Sequence, residues 1–246
     1  MPNYKFLLEY NGKDFSGSQI QNSAQALRTV QGELEKTLEK LLKTKIETTF
    51  AGRTDQGVHA IGQVVNFKFA ESLEDFFKKD FSAISLMLNA NLPEDMAITK
   101  IEEANDDFNA RFDATAREYL YKIFVRAQRP VLRTDSLAWF TEKLDFEKMQ
   151  AHCQYFLGEQ DFSRYCKEEN NYDEEKNTIC NVYQAQLIQE SKICFKFHIK
   201  ANRFLRNMVR RMVGELIYIG KGNALDDKSA CFTAPAAGLT LVKVEY

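Results

Sequence analysis

Asp55 is the side chain around which chemistry can be built in this sequence. It lies in Phe50-Ala51-Gly52-Arg53-Thr54-Asp55-Gln56-Gly57-Val58-His59-Ala60. Two glycines bracket an arginine and an aspartate. Glycine reaches backbone angles that strain other residues, so a loop of this composition can hold a carboxylate in a fixed place where a strand ends. An ionised carboxylate held there can act as a nucleophile. Plainer chemistry fits the same letters: Asp followed closely by Gly is common turn chemistry, with the carboxylate capping its own backbone. Asp55 with His59 would also suit a metal hydrolase, although His152 and His198 lie far off in sequence and no companion ligand set accompanies them.

Two further stretches carry chemical groups. In Ala201–Gly220, Leu205, Met208, Val209, Met212, Val213 and Leu216 make an apolar helical face. Arg203, Arg206 and Arg210 fall opposite it with Arg211 at the edge, and no acid interrupts before Glu215. An arginine face without interleaved acids suits phosphate recognition; a solvated helix surface would read the same way. In Glu118–Val125, the residues Tyr119, Tyr121, Ile123 and Val125 share one face of a strand, because side chains alternate. Taken alone, they read as core.

These groups need a scaffold, and the periodicities predict one. Tyr4–Tyr10 reads as a strand closed by Asn11-Gly12, and residues 14–25 as a polar loop. Val30, Leu34, Leu38, Leu41 and Leu42 predict an amphipathic helix packed on a sheet. Strands are expected at Ile46–Ala51 and Val64–Phe69, flanking the Asp55 loop. A helix over Leu73–Leu88 is expected to start at Ser72, with Phe77, Phe81, Ile84 and Leu88 as its stripe, and a short strand to follow at Ala97–Ile101. A third helix from Asp145 would stop at Gly158. The acidic cluster Glu168, Glu169, Asp173, Glu174, Glu175 reads as a solvated insertion. Ile179–Ile188 and Ile193–Lys200 predict a hairpin, and Gly238–Tyr246 a closing strand.

A chain of 246 residues with 44% hydrophobic and 28% charged residues can bury a substantial core. Its start is not a signal peptide and no apolar run approaches membrane-spanning length, so a cytoplasmic location is expected. The five cysteines form no C-x-x-C pair, which argues against a zinc knuckle or a disulfide framework. A net charge of −2 and a pI of about 6.0 argue against a general nucleic-acid binder. Any RNA site must be a local basic patch.

Gly52-Arg53-Thr54-Asp55-Gln56-Gly57-Val58-His59-Ala60 resembles the signature loop of the tRNA pseudouridine synthase A family, G-R-T-D-x-G-V-H-A, whose aspartate is the nucleophile. Ala110-Arg111-Phe112-Asp113-Ala114-Thr115-Ala116-Arg117-Glu118-Tyr119-Leu120-Tyr121 matches a second motif, whose first tyrosine, here Tyr119, lies against the target uridine. Asn202-Arg203-Phe204-Leu205-Arg206-Asn207-Met208-Val209-Arg210 begins a third, whose arginine, Arg210, belongs to the active-site group.

The resemblance covers nearly the whole chain and implies an α+β pseudouridine synthase fold: an antiparallel sheet flanked by helices, built as two similar halves around a central RNA-binding cleft. Residues 1–108 would carry the Asp loop, and 109–246 the Tyr strand and Arg-rich helix. The implied activity is isomerisation of uridine to pseudouridine in the anticodon stem-loop of tRNA, at positions 38–40, by a homodimer and without cofactor or metal. Asp55 would be catalytic, and Tyr119, Arg53 and Arg210 would bind substrate. Three departures affect how RNA is gripped: Ser18 replaces a tryptophan of a G-W-Q motif, the Lys221–Ser229 link is short, and Thr240 replaces an aromatic residue. They leave a non-catalytic or altered-specificity RNA-binding paralogue as the alternative.

Overall fold

The structure is a computed structural model describing residues 1–21, 27–132, 135–166, 177–225 and 232–246. The acidic cluster from Glu168 to Glu175, part of the 221–229 link, and Cys231 lie outside the described residues. The chain forms two compact units, Met1–Thr115 with Leu241–Tyr246, and Ala116–Thr240.

In the first unit, β1 (Asn3–Tyr10) buries Tyr4, Phe6, Leu8 and Tyr10 on alternate positions. It pairs antiparallel with β3 (His59–Lys68) and β4 (Met96–Ala104), and β10 (Leu239–Glu245) lies beyond β3. β3 is an interior strand, exposed only at Ile61 and Lys68. Its buried Asn66 donates to Asn3 Oδ1 (3.0 Å) and the Phe108 carbonyl (3.2 Å), and accepts from the Ala110 N–H (2.9 Å). One amide thus ties the segment after β4 to two strands. At Gly62 a Cβ would sit 2.2 Å from the Val242 carbonyl oxygen, so the close approach of β10 requires glycine.

The expected strand over Ile46–Ala51 shrinks to β2 (Thr49–Phe50), paired with β3. Glu35 Oε1 takes both the Thr48 N–H and hydroxyl at 2.8 Å, which removes that residue from the ladder. Helix α1 (Val30–Leu42) follows the pattern: Val30, Leu34, Leu38 and Leu42 are buried, Thr29 caps the Gly32 N–H, and Lys43 closes it at φ 58°. The expected single helix over Leu73–Leu88 is instead two, α2 (Leu73–Phe77) and α3 (Phe81–Asn89). Lys78 turns left-handed at φ 52°, and the Asp80 carboxylate starts α3 by accepting the Ala83 N–H at 2.8 Å. α3 packs on β4, where Asn89 exchanges hydrogen bonds with Ile98.

In the second unit, β5 (Ala116–Val125) pairs antiparallel with β9 (Cys194–Ala201), with β8 (Ile179–Ser191) and β7 (Gly158–Asp161) beyond; β6 (Ala138–Phe140) runs parallel to β5. Tyr119, Tyr121 and Ile123 face Ile199, Phe197 and Phe195 across the ladder, all buried. α4 (Phe146–His152) packs on α5 (Met208–Gly220), and Phe146 meets Phe195 at 5.6 Å over this apolar face. α4 is shorter than the pattern predicts and continues as a 3-10 turn over Cys153–Phe156; Gly158, at φ 89°, begins β7.

The expected helix over Ala201–Gly220 also begins late. Ala201 closes β9, and the Asn202 side chain accepts the N–H groups of Asn181 and Arg203 at 2.8 Å, fixing the turn that follows. Asn207, at φ 60°, then precedes Met208, the first residue of α5. Arg203 and Arg206 therefore sit in the preceding turn, and only Arg210 and Arg211 are on the helix. Glu215 is 2% exposed and accepts from Tyr165 (2.9 Å), with His152 Nε2 at 2.7 Å and Arg164 at 3.1 Å, partners a buried carboxylate needs.

Asn66→Ala will lower unfolding stability by about 2–4 kcal/mol in urea titrations, because it strands the Ala110 N–H and the Asn3 Oδ1 acceptor in the interior, while the Phe108 carbonyl keeps the Asn3 amide as donor. Lys68→Ala, at an exposed position of the same strand, will change it by no more than about 0.5 kcal/mol. Equal effects would show that Asn66 is not an anchor.

Candidate active site

The first unit carries Asp55 and Arg53 in the loop between β2 and β3. Arg53 is exposed and Asp55 half-buried. The turn predicted by Asp-x-Gly is present, and it is the Asp55 carbonyl that closes it, accepting the Val58 N–H at 3.1 Å. Gly57 stands at φ 79°, a left-handed angle that glycine adopts without strain.

The residues just before Asp55 are held from several sides. Ser18 Oγ accepts the Thr54 N–H at 2.8 Å, and the Ser18 N–H donates to the Thr54 carbonyl at 3.0 Å. The Tyr10 phenol lies 2.8 Å from Thr54 Oγ1. Gln63 Nε2 donates to the Gly52 carbonyl at 2.9 Å and reaches the Tyr10 oxygen at 3.4 Å. With Gln63 as donor, the Tyr10 hydroxyl proton points to Thr54. Burial pushes the Tyr10 phenol up to about 12, against opposing hydrogen bonds from Thr54 and Gln63, so it stays neutral through the physiological range. The Gly12 N–H donates to His59 Nδ1 at 3.1 Å, which makes His59 a neutral imidazole holding the end of the loop.

The second unit carries Tyr119 and Arg210. Tyr119 is 7% exposed and meets Phe204 edge-to-face at 5.2 Å. Arg210 donates from Nε to the Ala234 carbonyl (2.8 Å) and from Nη1 to Asn207 Oδ1 (3.0 Å), and its carbonyl accepts the Ala234 N–H (3.1 Å). Tyr121 OH donates to the neighbouring Pro235 carbonyl at 2.8 Å. Burial drives the Tyr121 phenol well above its ordinary value, against the opposing charge of Arg210. The second unit thus sets Arg210 near β5, the strand that carries Tyr119. Arg203 and Arg206 are exposed in the turn before α5.

Sequence reading passed over Tyr10 and Gln63 and met Ser18 only as a departure from a motif. A signal for Gln63 existed: it is a polar residue at a core position of a strand. The three histidines each have a partner, His59 with Gly12, His152 with Glu215, and His198 with Glu118 (2.6 Å) and Gln184 (3.0 Å). Among the described residues, no group of three or more His, Cys, Asp or Glu side chains is arranged to hold a metal ion. Among them, no helix is long and apolar enough to cross a membrane.

A family model described as tRNA pseudouridine synthase matches residues 7–113 and 152–246. Asp55, Arg53 and Arg210 lie within the matched residues; Tyr119 lies between the two stretches. A protein of Dictyoglomus thermophilum called tRNA pseudouridine synthase A is 40% identical over 259 residues, covering 100% of both chains. Proteins of the same name from Pseudothermotoga lettingae and Francisella tularensis subsp. holarctica are each 36% identical over 100% of this chain, and over 100% and 95% of theirs.

Tyr10 offers a direct test of the anchoring. Folding raises its phenol from 10.0 to about 12, so the unfolded chain loses that proton first as pH rises. The contribution is complete below pH 10 and is lost between pH 10 and pH 12. Tyr10→Phe lacks it. The stability difference between wild type and Tyr10→Phe will therefore shrink by about 1 kcal/mol between about pH 9 and about pH 11 in urea unfolding. A difference independent of pH would mean the phenol is not buried.

Proposed function

We propose that this chain, which belongs to the tRNA pseudouridine synthase family, uses Asp55 as the nucleophile with which it converts uridine to pseudouridine in tRNA. The reaction breaks the bond from ribose C1′ to uracil N1 and forms one from C1′ to C5; C5 loses a proton and N1 gains one, so no external energy source is needed. The observation that carries the assignment is the loop Gly52–Ala60, which lies inside the matched residues and whose backbone is held immediately before the carboxylate. A nucleophile must stand within near-attack distance of its carbon, and a fixed loop supplies that placement.

A uridine stacked in RNA must first be extruded, at a cost of a few kcal/mol. We assign Tyr119 to stack on the extruded base, which offsets about 1–3 kcal/mol of that cost. Phe204, edge-on to Tyr119, keeps the ring from turning. Arg210 is an oriented cation, its guanidinium aligned by Asn207 and Ala234. It and Arg53 would hold RNA phosphate or occupy the space the flipped base leaves. The motif resemblance extends this reading to uridines 38–40 of the anticodon arm, to a homodimer bridged by tRNA, and to action in the cytoplasm.

Asp55→Asn will abolish tritium release from tRNA labelled at uridine C5, while tRNA affinity stays within a few-fold of wild type. Retained turnover removes Asp55 from the mechanism. Tyr119→Phe will bind tRNA as wild type does, whereas Tyr119→Ala will lose both affinity and rate. Equal binding by the two variants would show that the ring is only core.

A further inference from the structure

We propose that Ser18 is a positioning residue for the reaction: its hydroxyl and N–H together clamp the Thr54 peptide that leads into Asp55 and couple it to the first turn of α1. The inference rests on the reading of Asp55 as nucleophile. Ser18 stands where the resembling motif has tryptophan, and the sequence alone associates that change with the fit of RNA. The geometry points inward instead.

Ser18 is completely buried. Its Oγ takes the Thr54 N–H (2.8 Å), and its N–H meets the Thr54 carbonyl (3.0 Å). Both peptide groups of Thr54 are therefore held by one residue. The second of those peptides supplies the nitrogen of Asp55, so fixing its plane fixes where the Asp55 Cα begins. Gly17 presses on the same backbone. A Cβ at Gly17 would lie 3.1 Å from the Thr54 oxygen, 3.6 Å from the Gln56 nitrogen and 3.8 Å from the Asp55 carbonyl carbon, and its φ of 108° suits glycine.

The segment holding the loop is itself held. The carbonyls of Gly17 and Ser18 accept the N–H groups of Val30 (3.3 Å) and Gln31 (2.9 Å), and the Ser16 N–H donates to the Arg28 carbonyl (2.8 Å). Val30 and Gln31 open α1, where helix N–H groups have no partner inside the helix. A hydrogen-bonded relay thus runs from α1 through Gly17-Ser18 to Thr54 and Asp55. Arg28 secures its far end, paired with Asp95 at 2.7 and 2.8 Å and lying 4.1 Å from the Phe15 ring centroid. Because the site is buried, loss of the Ser18 oxygen leaves the Thr54 N–H without an acceptor. The loop must then shift, and a displacement near 1 Å can cost on the order of a hundredfold in rate.

The test is single-turnover and steady-state kinetics on unmodified tRNA, well below each variant's melting temperature, for Ser18→Ala, Ser18→Cys and Ser18→Thr beside Asp55→Asn. Ser18→Ala and Ser18→Cys will lower kcat by about ten- to a hundredfold with KM within about twofold, because neither supplies a strong acceptor. Ser18→Thr keeps the hydroxyl and will recover most of the rate. If Ser18→Cys turns over like wild type, side-chain volume matters and the clamp does not. If Ser18→Ala raises KM and leaves kcat unchanged, Ser18 serves RNA fit and the inference is overturned. An inactive Asp55→Asn beside a fully active Ser18→Ala sinks the inference alone; an active Asp55→Asn sinks the assignment of the nucleophile, and this inference with it.

Discussion

A carboxylate on a loop has a fixed place only if the backbone beneath it does not wander, and beside Asp55 the anchors meet at one residue, Thr54. Ser18 holds its two peptide groups, and the Tyr10 phenol sits at its hydroxyl. Gln63 holds Gly52 upstream and His59 closes the loop downstream. Each anchor is buried, so water cannot substitute for it, and each belongs to an element with its own reason to be rigid. Tyr10 and Gln63 lie on neighbouring strands, and Ser18 is bonded to the head of α1. The loop inherits their order without needing regular structure of its own.

The second unit solves a related problem with different groups. The chain returning through Ala234 and Pro235 is bonded to Arg210 on α5 and to Tyr121 on β5. Arg210 therefore has a defined direction; Arg203 and Arg206 lie in the exposed turn before the helix. At Gly214 a Cβ would lie 1.9 Å from the Phe232 carbonyl oxygen, so the returning chain presses directly on α5. Glu215, with Tyr165, Arg164 and His152 around it, adds a charged anchor on the same helix. Such a cluster tolerates burial because its partners compensate the lost hydration; removing one would leave a charge with nothing to replace water.

Family membership and geometry speak to different levels. The full-length relatives and the matched family model carry the reaction class and the substrate, tRNA. The geometry concerns what keeps the side chains in place. In this chain, where Ser18 stands in place of the motif's tryptophan, the hydroxyl bonds directly to the backbone beside Asp55.

By itself the sequence determined the elements whose signal is local. Alternation located β1, β5 and the β8–β9 hairpin; the stripe Val30, Leu34, Leu38, Leu42 located α1; and the nine residues from Gly52 to Ala60 marked the family. Tertiary structure decided what depends on side chains distant in sequence. Thr48 left the sheet because Glu35 captured its donors, the helix after Ser72 broke because Asp80 offered a cap, and α5 began late because Asn202 and Asn207 shaped the turn before it. Polar residues have several partners of similar strength available, and periodicity cannot choose among them. Ser18 shows this most sharply: in the sequence it is a small residue where a large one is common, and only the fold brings its hydroxyl to the Thr54 N–H, 36 residues away.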